Sequence, residues 1–534
     1  MTWWRDEAIY QVYPRSFQDT DGDGVGDLEG VRRRLPHLEA LGVGALWLSP
    51  VYPSPMEDGG YDVADYTGID PTFGDMAAFD RLLEEAHGRG LKLLLDFVPN
   101  HSSDRHPWFR DARSGRDAAR RDWYVWADPA EGGGPPNNWL SNFGGPAWTL
   151  DEGSGQYYYH AFLPSQPDLN WRNPEVRAAM YDAMRFWLDR GVDGFRVDVI
   201  YYLCHDPELR DNPPNPDWRP GMADTERHLP TRTTDQPETH EIVAEMRDLV
   251  DAYPRRLLIG EIYLPVERLV TYYGEGGTEG VHLPFNFQLI QAEWDAERLA
   301  GMIAEYEAAL PEEGWPNWVL SNHDQPRIAA RVGEAQARVA AVLLLTLRGT
   351  PTLYYGDELG IGEVEIPKDR IRDPQAKREP DTGFNRDASR TPMPWSDAPG
   401  AGFSEAEPWL PLNGDWRTRN VAAQEAEPGS MLALYRELLR LRRDEAALRT
   451  GAYRQLAARD GVLAYERGEG AGRLGVALNL AGEAREIDAP PGYGGAEVVL
   501  STSVEPAQAP RGGRLALGPN EGVVLRPRSG ESSA

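Results

Sequence analysis

The sequence predicts an α/β chain: a (β/α)8 TIM barrel with a subdomain inserted after strand 3 and an antiparallel β domain at the C-terminus. Three observations predict it. Short apolar, β-branched runs recur between residues 9 and 355, each followed by a helical pattern. Long stretches rich in Pro, Gly and Asp break that rhythm at 102–170, 203–240 and 360–420. After residue 452 the pattern changes to short alternating strands with Gly turns.

The apolar runs lie at 9–12, 45–48, 91–98, 194–199, 257–262, 283–287, 318–320 and 352–355. Helical stretches fill the gaps, among them 81–89 and 338–347. Met180, Met184, Trp187 and Leu188 fall at i, i+4, i+7 and i+8, which is one helix face. Strands alternating with helices imply a parallel sheet, and a barrel of eight needs roughly 250 residues before insertions. The segment 102–170 is too long for a plain loop and reads as an inserted subdomain. The interruptions follow the third, fourth and eighth strands, so they emerge at the C-terminal face of the barrel, where barrel active sites sit. Residues 429–450 read as a last helix, and 474–478, 497–500 and 522–525 as strands of a separate unit. The expected division is a barrel over 1–101 and 171–452, a subdomain over 102–170 and a C-terminal β-sandwich over 453–534, whose tail SGESSA frays.

Composition excludes several functions. The formal net charge of −30 disfavours nucleic acid and anionic membrane surfaces, both of which need a basic footprint. The acidity itself reads as solubility. The single cysteine, Cys204, rules out an intrachain disulfide and reads as buried packing. No basic, then apolar leader opens the sequence and no apolar run reaches the ~18 residues of a membrane span, so a cytoplasmic location is expected. No organic cofactor is expected. The 17 Trp and 23 Tyr suit a protein that stacks flat ligands such as sugar rings.

The chemistry gathers at strand ends. The third run ends DFVPNH (Asp96, Asn100, His101), the fourth is GFRVDV (Arg196, Asp198), the fifth IGEIY (Glu261), and the seventh ends SNHDQPR (His323, Asp324, Arg327). One such residue alone would read as a structural ion pair. Acids, histidines and arginines converging on one barrel mouth do not. Glycoside hydrolysis needs two carboxyl groups, ~5–5.5 Å apart in a retaining enzyme. Neighbouring strands ~4.8 Å apart can supply that separation from Asp198 and Glu261. Arg196 stands two residues before Asp198, on the same side of the strand, where a guanidinium favours an ionised carboxylate.

These clusters, in this order, resemble the sequence regions of the α-amylase family, glycoside hydrolase family 13. The segments SPMEDGGYDVADY, QPDLNW and RDASRTPMPW resemble its oligo-1,6-glucosidase/α-glucosidase branch. The resemblance implies a retaining, exo-acting α-glucosidase that takes glucose from the non-reducing ends of small α-glucoside oligosaccharides. It implies Asp198 as nucleophile, Glu261 as acid/base and Asp324 as the third acid. It places His101, Arg196 and His323 on the glucose, Tyr61 against its ring, Phe143 and Phe162 as walls, and Asp58 with Arg390 at the closed end. Val199, after the nucleophile, resembles the residue of branch members that accept α-1,6 linkages. GEIYLPVERL around Glu261 and the insertion at 203–240 depart from the family pattern, so the leaving-group side is the least defined.

DTDGDGVGD at 19–27 offers hard oxygens from Asp19, Asp21, Asp23 and Asp27 and from the Val25 carbonyl. It departs from an EF-hand, with Gly30 at the twelfth position. It resembles the structural metal loop of the α-glucosidase branch, which implies a calcium ion, or magnesium in its place. Three other readings compete: an α-transglucosidase or disaccharide isomerase of the trehalose synthase kind, a non-catalytic carbohydrate-binding relative, and an endo-amylase. Oligomeric state is not legible.

Overall fold

The computed structural model describes residues 2–503 and 509–528. The tail expected to fray, 529–534, lies outside the described residues. Strands β1 (Ile9–Val12), β2 (Ala45–Leu48), β3 (Lys92–Phe97), β4 (Gly194–Val197), β5 (Leu257–Ile262), β6 (Leu283–Asn286), β7 (Asn317–Val319) and β8 (Thr350–Tyr354) close into one parallel barrel in chain order. Every expected run is a barrel strand. The largest shift is at β8, which starts at Thr350 and runs through Pro351, a residue that marks a break in sequence.

The barrel is filled, not hollow. Ile9, Ala45, Trp47, Leu94, Ile259 and Phe285 form one interior cluster. Their neighbours Tyr10, Leu46, Leu95 and Leu258 face the other way and join the cluster shared with the surrounding helices. The helix Pro174–Arg190 shows how the sequence sets that outer layer. Asn173 caps it, Pro174 sits at its first turn, and it buries Met180, Met184, Trp187 and Leu188. β4 begins on Gly194 at φ +148°, where a Cβ would lie 2.0 Å from the Leu257 carbonyl oxygen of β5. Only glycine lets those two strands approach so closely, and they are the two that carry Asp198 and Glu261.

Between β3 and β4, strands Trp126–Ala127, Gln156–Tyr159 and Trp148–Asp151 form an antiparallel sheet in that order over a core of Trp139, Trp148 and Tyr159. A backbone bridge from His101 to Asp168 joins this segment to the end of β3. The last long helix, Met431–Asp444, follows an Ser430 N-cap. Beyond it lie an antiparallel five-stranded sheet, with Val462–Arg467, Leu474–Asn479 and Gly522–Arg526 at its centre, and a two-stranded one. Among the described residues no helix is long and apolar enough to cross a membrane. Cys204 is buried.

Candidate active site

Strand register assembles the carboxylates. Asp96 of β3 pairs with Arg196 of β4, and Val197 of β4 with Gly260 of β5. Asp198 and Glu261 are the next residues along β4 and β5, so they occupy the same rung at the barrel mouth. The buried Arg196 guanidinium serves both and a third acid. Its Nη1 donates to Asp96 Oδ1 and Asp198 Oδ1, each at 2.8 Å, and its Nη2 lies 2.9 Å from Glu261 Oε2. Trp47 flanks that cation, 4.9 Å from its ring centre.

One cation facing three buried carboxylates leaves negative charge uncompensated. Burial raises Glu261, and Asp324 adds to the rise while Arg196 opposes it. Burial and the Glu261 charge together raise Asp198 further, against Arg196. The two therefore hold a proton between them above the ordinary carboxylate range. Asp324 is the contrast. Burial works to raise it, but His323, Arg390 and Arg386 outweigh that and hold it well below the ordinary range. His323, buried against the Tyr61 ring at 5.3 Å, is kept neutral by desolvation. Burial likewise lowers His101, to about 3.

Val199, directly after Asp198, stands at φ 34° and ψ 45°. A β-branched residue in the left-handed region is strained. That conformation turns its N–H onto Glu261 Oε2 at 2.8 Å. A tight turn thus links the backbone of the residue after Asp198 to the side chain of Glu261.

A cavity of about 460 Å³ opens over these groups, lined by Asp58, Tyr61, His101, Phe143, Phe162, Asp198, Val199, Glu261 and Asp324. His323 and Arg196 lie beneath its floor, fully buried. The wall residues Phe143 and Phe162 meet edge to face at 5.6 Å. The loop SPMEDGGYD folds around buried Asp62, which accepts from Ser54 Oγ and from the Glu57 and Asp58 N–H groups. This holds Asp58 at the cavity.

The expected partner of Asp58 is corrected. Arg390 does not line this cavity; it donates to the His323 carbonyl at 2.7 Å and to Asp324 Oδ1 at 2.8 Å from behind. Arg386 stands beside Asp58 and lines the cavity, bound to Asp58 Oδ1 at 2.8 Å, Asp373 Oδ1 at 2.7 Å and Asp324 Oδ1 at 3.2 Å. Both arginines belong to RDASRTPMPW, and the short turn Arg386–Ser389 decides which one faces inward. Sequence reasoning also missed Gln166 of QPDLN. Fully buried, it donates to Asp58 Oδ2 at 3.1 Å and sits 3.2 Å from His101 Nε2. Arg378 closes the roof by donating to the Phe143 and Gly144 carbonyls at 2.9 and 2.7 Å. The insertion after β4 supplies Thr225 and Glu226 to the rim.

Away from this cavity, Asp19, Asp21 and Asp27 bring carboxylate oxygens within 4.8 Å of one another. Asp23 stands outside that group, and its Oδ1 accepts the Val25 N–H at 2.7 Å. Asp27 also caps the helix Leu28–Leu41. Burial raises Asp27, and burial with the Asp23 charge raises Asp21, whereas at Asp19 hydrogen bonds from Ser404 and from backbone N–H groups outweigh burial and lower it.

Comparison with known proteins agrees with this architecture. A probable α-glucosidase of Rhizobium meliloti is 42% identical over 503 residues, 91% of each chain. An oligo-1,6-glucosidase of Halalkalibacterium halodurans is 37% identical, covering 93% of each. Among solved structures, the α-glucosyl transfer enzyme XgtA superposes with a TM-score of 0.93 at 41% identity, covering 99% of this chain and all of its own. The isomaltulose synthase SmuA of Protaminobacter rubrum does so with a TM-score of 0.91 at 33% identity, covering 98% of this chain and 99% of its own. The catalytic domain model of the α-amylase family matches residues 11–451, and the chain belongs to that family.

Proposed function

We propose that the protein is a retaining, exo-acting α-glucosidase, with Asp198 as nucleophile and Glu261 as acid/base. The observation that carries this is the rung shared by Asp198 and Glu261, joined by Arg196, in a pocket closed at the Asp58–Arg386 end. Glu261 gives its proton to the glycosidic oxygen while an Asp198 oxygen attacks C1. The C1–O bond breaks, the leaving sugar departs with the proton, and a β-glucosyl ester forms. Water then attacks C1 as Glu261 takes a proton back, which frees Asp198 and releases α-glucose. Arg196 balances the charge that moves between the two carboxyl groups, and ionised Asp324 faces the ring hydroxyls. The closed end admits a single terminal glucose, held by Asp58 and Arg386 through its far hydroxyls, between the Tyr61 and Phe162 rings.

Short α-glucosides of the isomaltose, maltose, sucrose and trehalose kinds are the substrate class. Similarity to an α-glucosyl transfer enzyme and to an isomaltulose synthase supports a second reading, in which a sugar instead of water takes the glucosyl group. NMR of the first products from those disaccharides tests both. Early α-glucose supports hydrolysis with retention, β-glucose overturns retention, and new disaccharides without free glucose favour transfer.

The loop at 19–27 fits a hard cation, for its oxygens converge with no Lys or Arg side chain paired to them among the described residues. Asp19, Asp21 and Asp27 would hold a structural calcium or magnesium ion, with Asp23 and the Val25 carbonyl able to complete the shell. The ion would neutralise these acids and tie the loop to the first turn of the helix Leu28–Leu41.

A further inference from the structure

A second cavity, of about 610 Å³, lies behind the closed end of the catalytic pocket. Arg390 stands between the two. Its Nε and Nη2 are taken by the His323 carbonyl and by Asp324, and its Nη1 has no hydrogen-bond partner among the described residues. That nitrogen faces Gly59, whose absent side chain keeps the space open: a Cβ there would lie 2.9 Å from the Tyr13 hydroxyl and 3.6 Å from Arg390 Nη1. Gly59, at φ +62°, is also in the left-handed region that favours glycine.

The charge of this cavity is unlike that of the rest of the chain. Arg15, Arg372 and Lys377 line it together with buried Arg390. Among the described residues, none of the first three is paired with a carboxylate. Arg15 instead lies over the Trp409 ring at 4.6 Å, with its Nε buried and unpartnered. Two of the three acids of the cavity are paired with a cation, and the third, Asp387, is held by backbone N–H groups. Asp373 holds Arg386, Asp387 accepts the Arg372 and Asp373 N–H groups, and Glu57 sits 3.8 Å from Arg105. In a chain of net charge −30, three unpaired cations against the one unpaired carboxylate of Asp387 leave this hollow positive and mark a place for an anion.

The shape adds a second requirement. The volume lies within the roughly 300–1,000 Å³ of small-molecule sites and is too large for a bare ion. Half-buried Trp409, packed 6.3 Å from the buried Tyr13 ring, lines the cavity with an aromatic surface of the kind that rests on a sugar ring. We propose that this cavity binds a sugar phosphate, with its phosphate among Arg15, Arg372, Lys377 and Arg390 Nη1 and its ring against the accessible part of Trp409. A phosphate monoester carries about −1.5 to −2 charges at neutral pH and suits planar guanidinium donors.

Titration calorimetry at neutral pH tests this, with glucose 6-phosphate and inorganic phosphate as probes and saturating glucose present to fill the catalytic pocket. The expected result is glucose 6-phosphate binding at least tenfold tighter than inorganic phosphate. In the R372A/K377A double variant, whose altered side chains are exposed, that affinity falls at least tenfold while activity without phosphate stays at the wild-type level. Arg15→Gln weakens the same binding and serves as an independent variant. Absence of glucose 6-phosphate binding, or an unchanged affinity in both variants, overturns the proposal. Equal affinity for the two probes assigns the cavity to free phosphate and overturns its sugar part.

Discussion

Arg386 donates to Asp58 across 328 positions of sequence at 2.8 Å, which ties the loop after β8 to the loop after β2 at the closed end of the pocket. The same guanidinium neutralises Asp373, so three chain segments meet on one cation once Asp324 is included. Removing it strands buried carboxylates. Arg386→Ala should cost about 3–5 kcal/mol of stability, the range for breaking a buried pair from one side. It should also raise KM for disaccharides more than it lowers kcat for an aryl α-glucoside. Denaturant unfolding and steady-state kinetics check the two effects separately.

The proton held between Asp198 and Glu261 sets the pH profile. Burial raises both groups, so the pair keeps one proton above the ordinary carboxylate value of ~4.3. Activity should fall as pH rises through the raised apparent value of the pair, and the alkaline limb of kcat/KM should lie well above ~4.3. Glu261→Gln should abolish that limb and lower kcat on disaccharides by about 10²–10⁴. An alkaline limb at the ordinary carboxylate value would show that burial does not protect this proton.

Asp168 predicts a stability effect with a definite sign. It is buried at the bridge to His101 and pushed up to about 8 by desolvation, against hydrogen bonds from the Ala161 N–H and Asn100. A folded value above the unfolded 3.8 means that its contribution is complete below 3.8 and is lost as pH rises through 8. Asp168→Asn cannot ionise. Its melting temperature relative to wild type should rise between pH 4 and pH 8 and stay level beyond, as read by calorimetric scans across that range. A difference independent of pH would refute the assignment.

Chelation should separate folding from chemistry. A metal held by Asp19, Asp21 and Asp27 stabilises only the folded chain, by ~2.7 kcal/mol at a hundredfold excess over its Kd. EDTA should lower the melting temperature, added calcium should restore it, and kcat at a temperature where the chain stays folded should not change. Asp21→Asn should weaken the calcium response.

The barrel was legible in sequence because each strand is a short apolar run with β-branched residues and each intervening helix shows its own period. Met180, Met184, Trp187 and Leu188 face the core as their spacing requires. The carboxylates were legible because a charge inside an apolar strand has few structural uses. The closed end was harder to read. Arg386 and Arg390 lie one short turn apart in the same motif, and only the backbone of that turn puts the first against Asp58 and the second behind Asp324. Gln166 was hidden for a related reason, since its role depends on a loop from the insertion reaching Asp58 and His101. The Val199 turn left no trace at all, because a valine gives no signal of positive φ.

The role of Asp198 is tested most directly by trapping the glucosyl ester. The protein is treated with 5-fluoro-α-glucosyl fluoride, which slows release of the ester, then digested and analysed by peptide mass spectrometry. One added fluoroglucosyl mass is expected on the peptide that contains Asp198, and no label on the Asp198→Asn variant. Label on Glu261 or another residue, or full turnover with no labelled peptide at any time, would contradict that role.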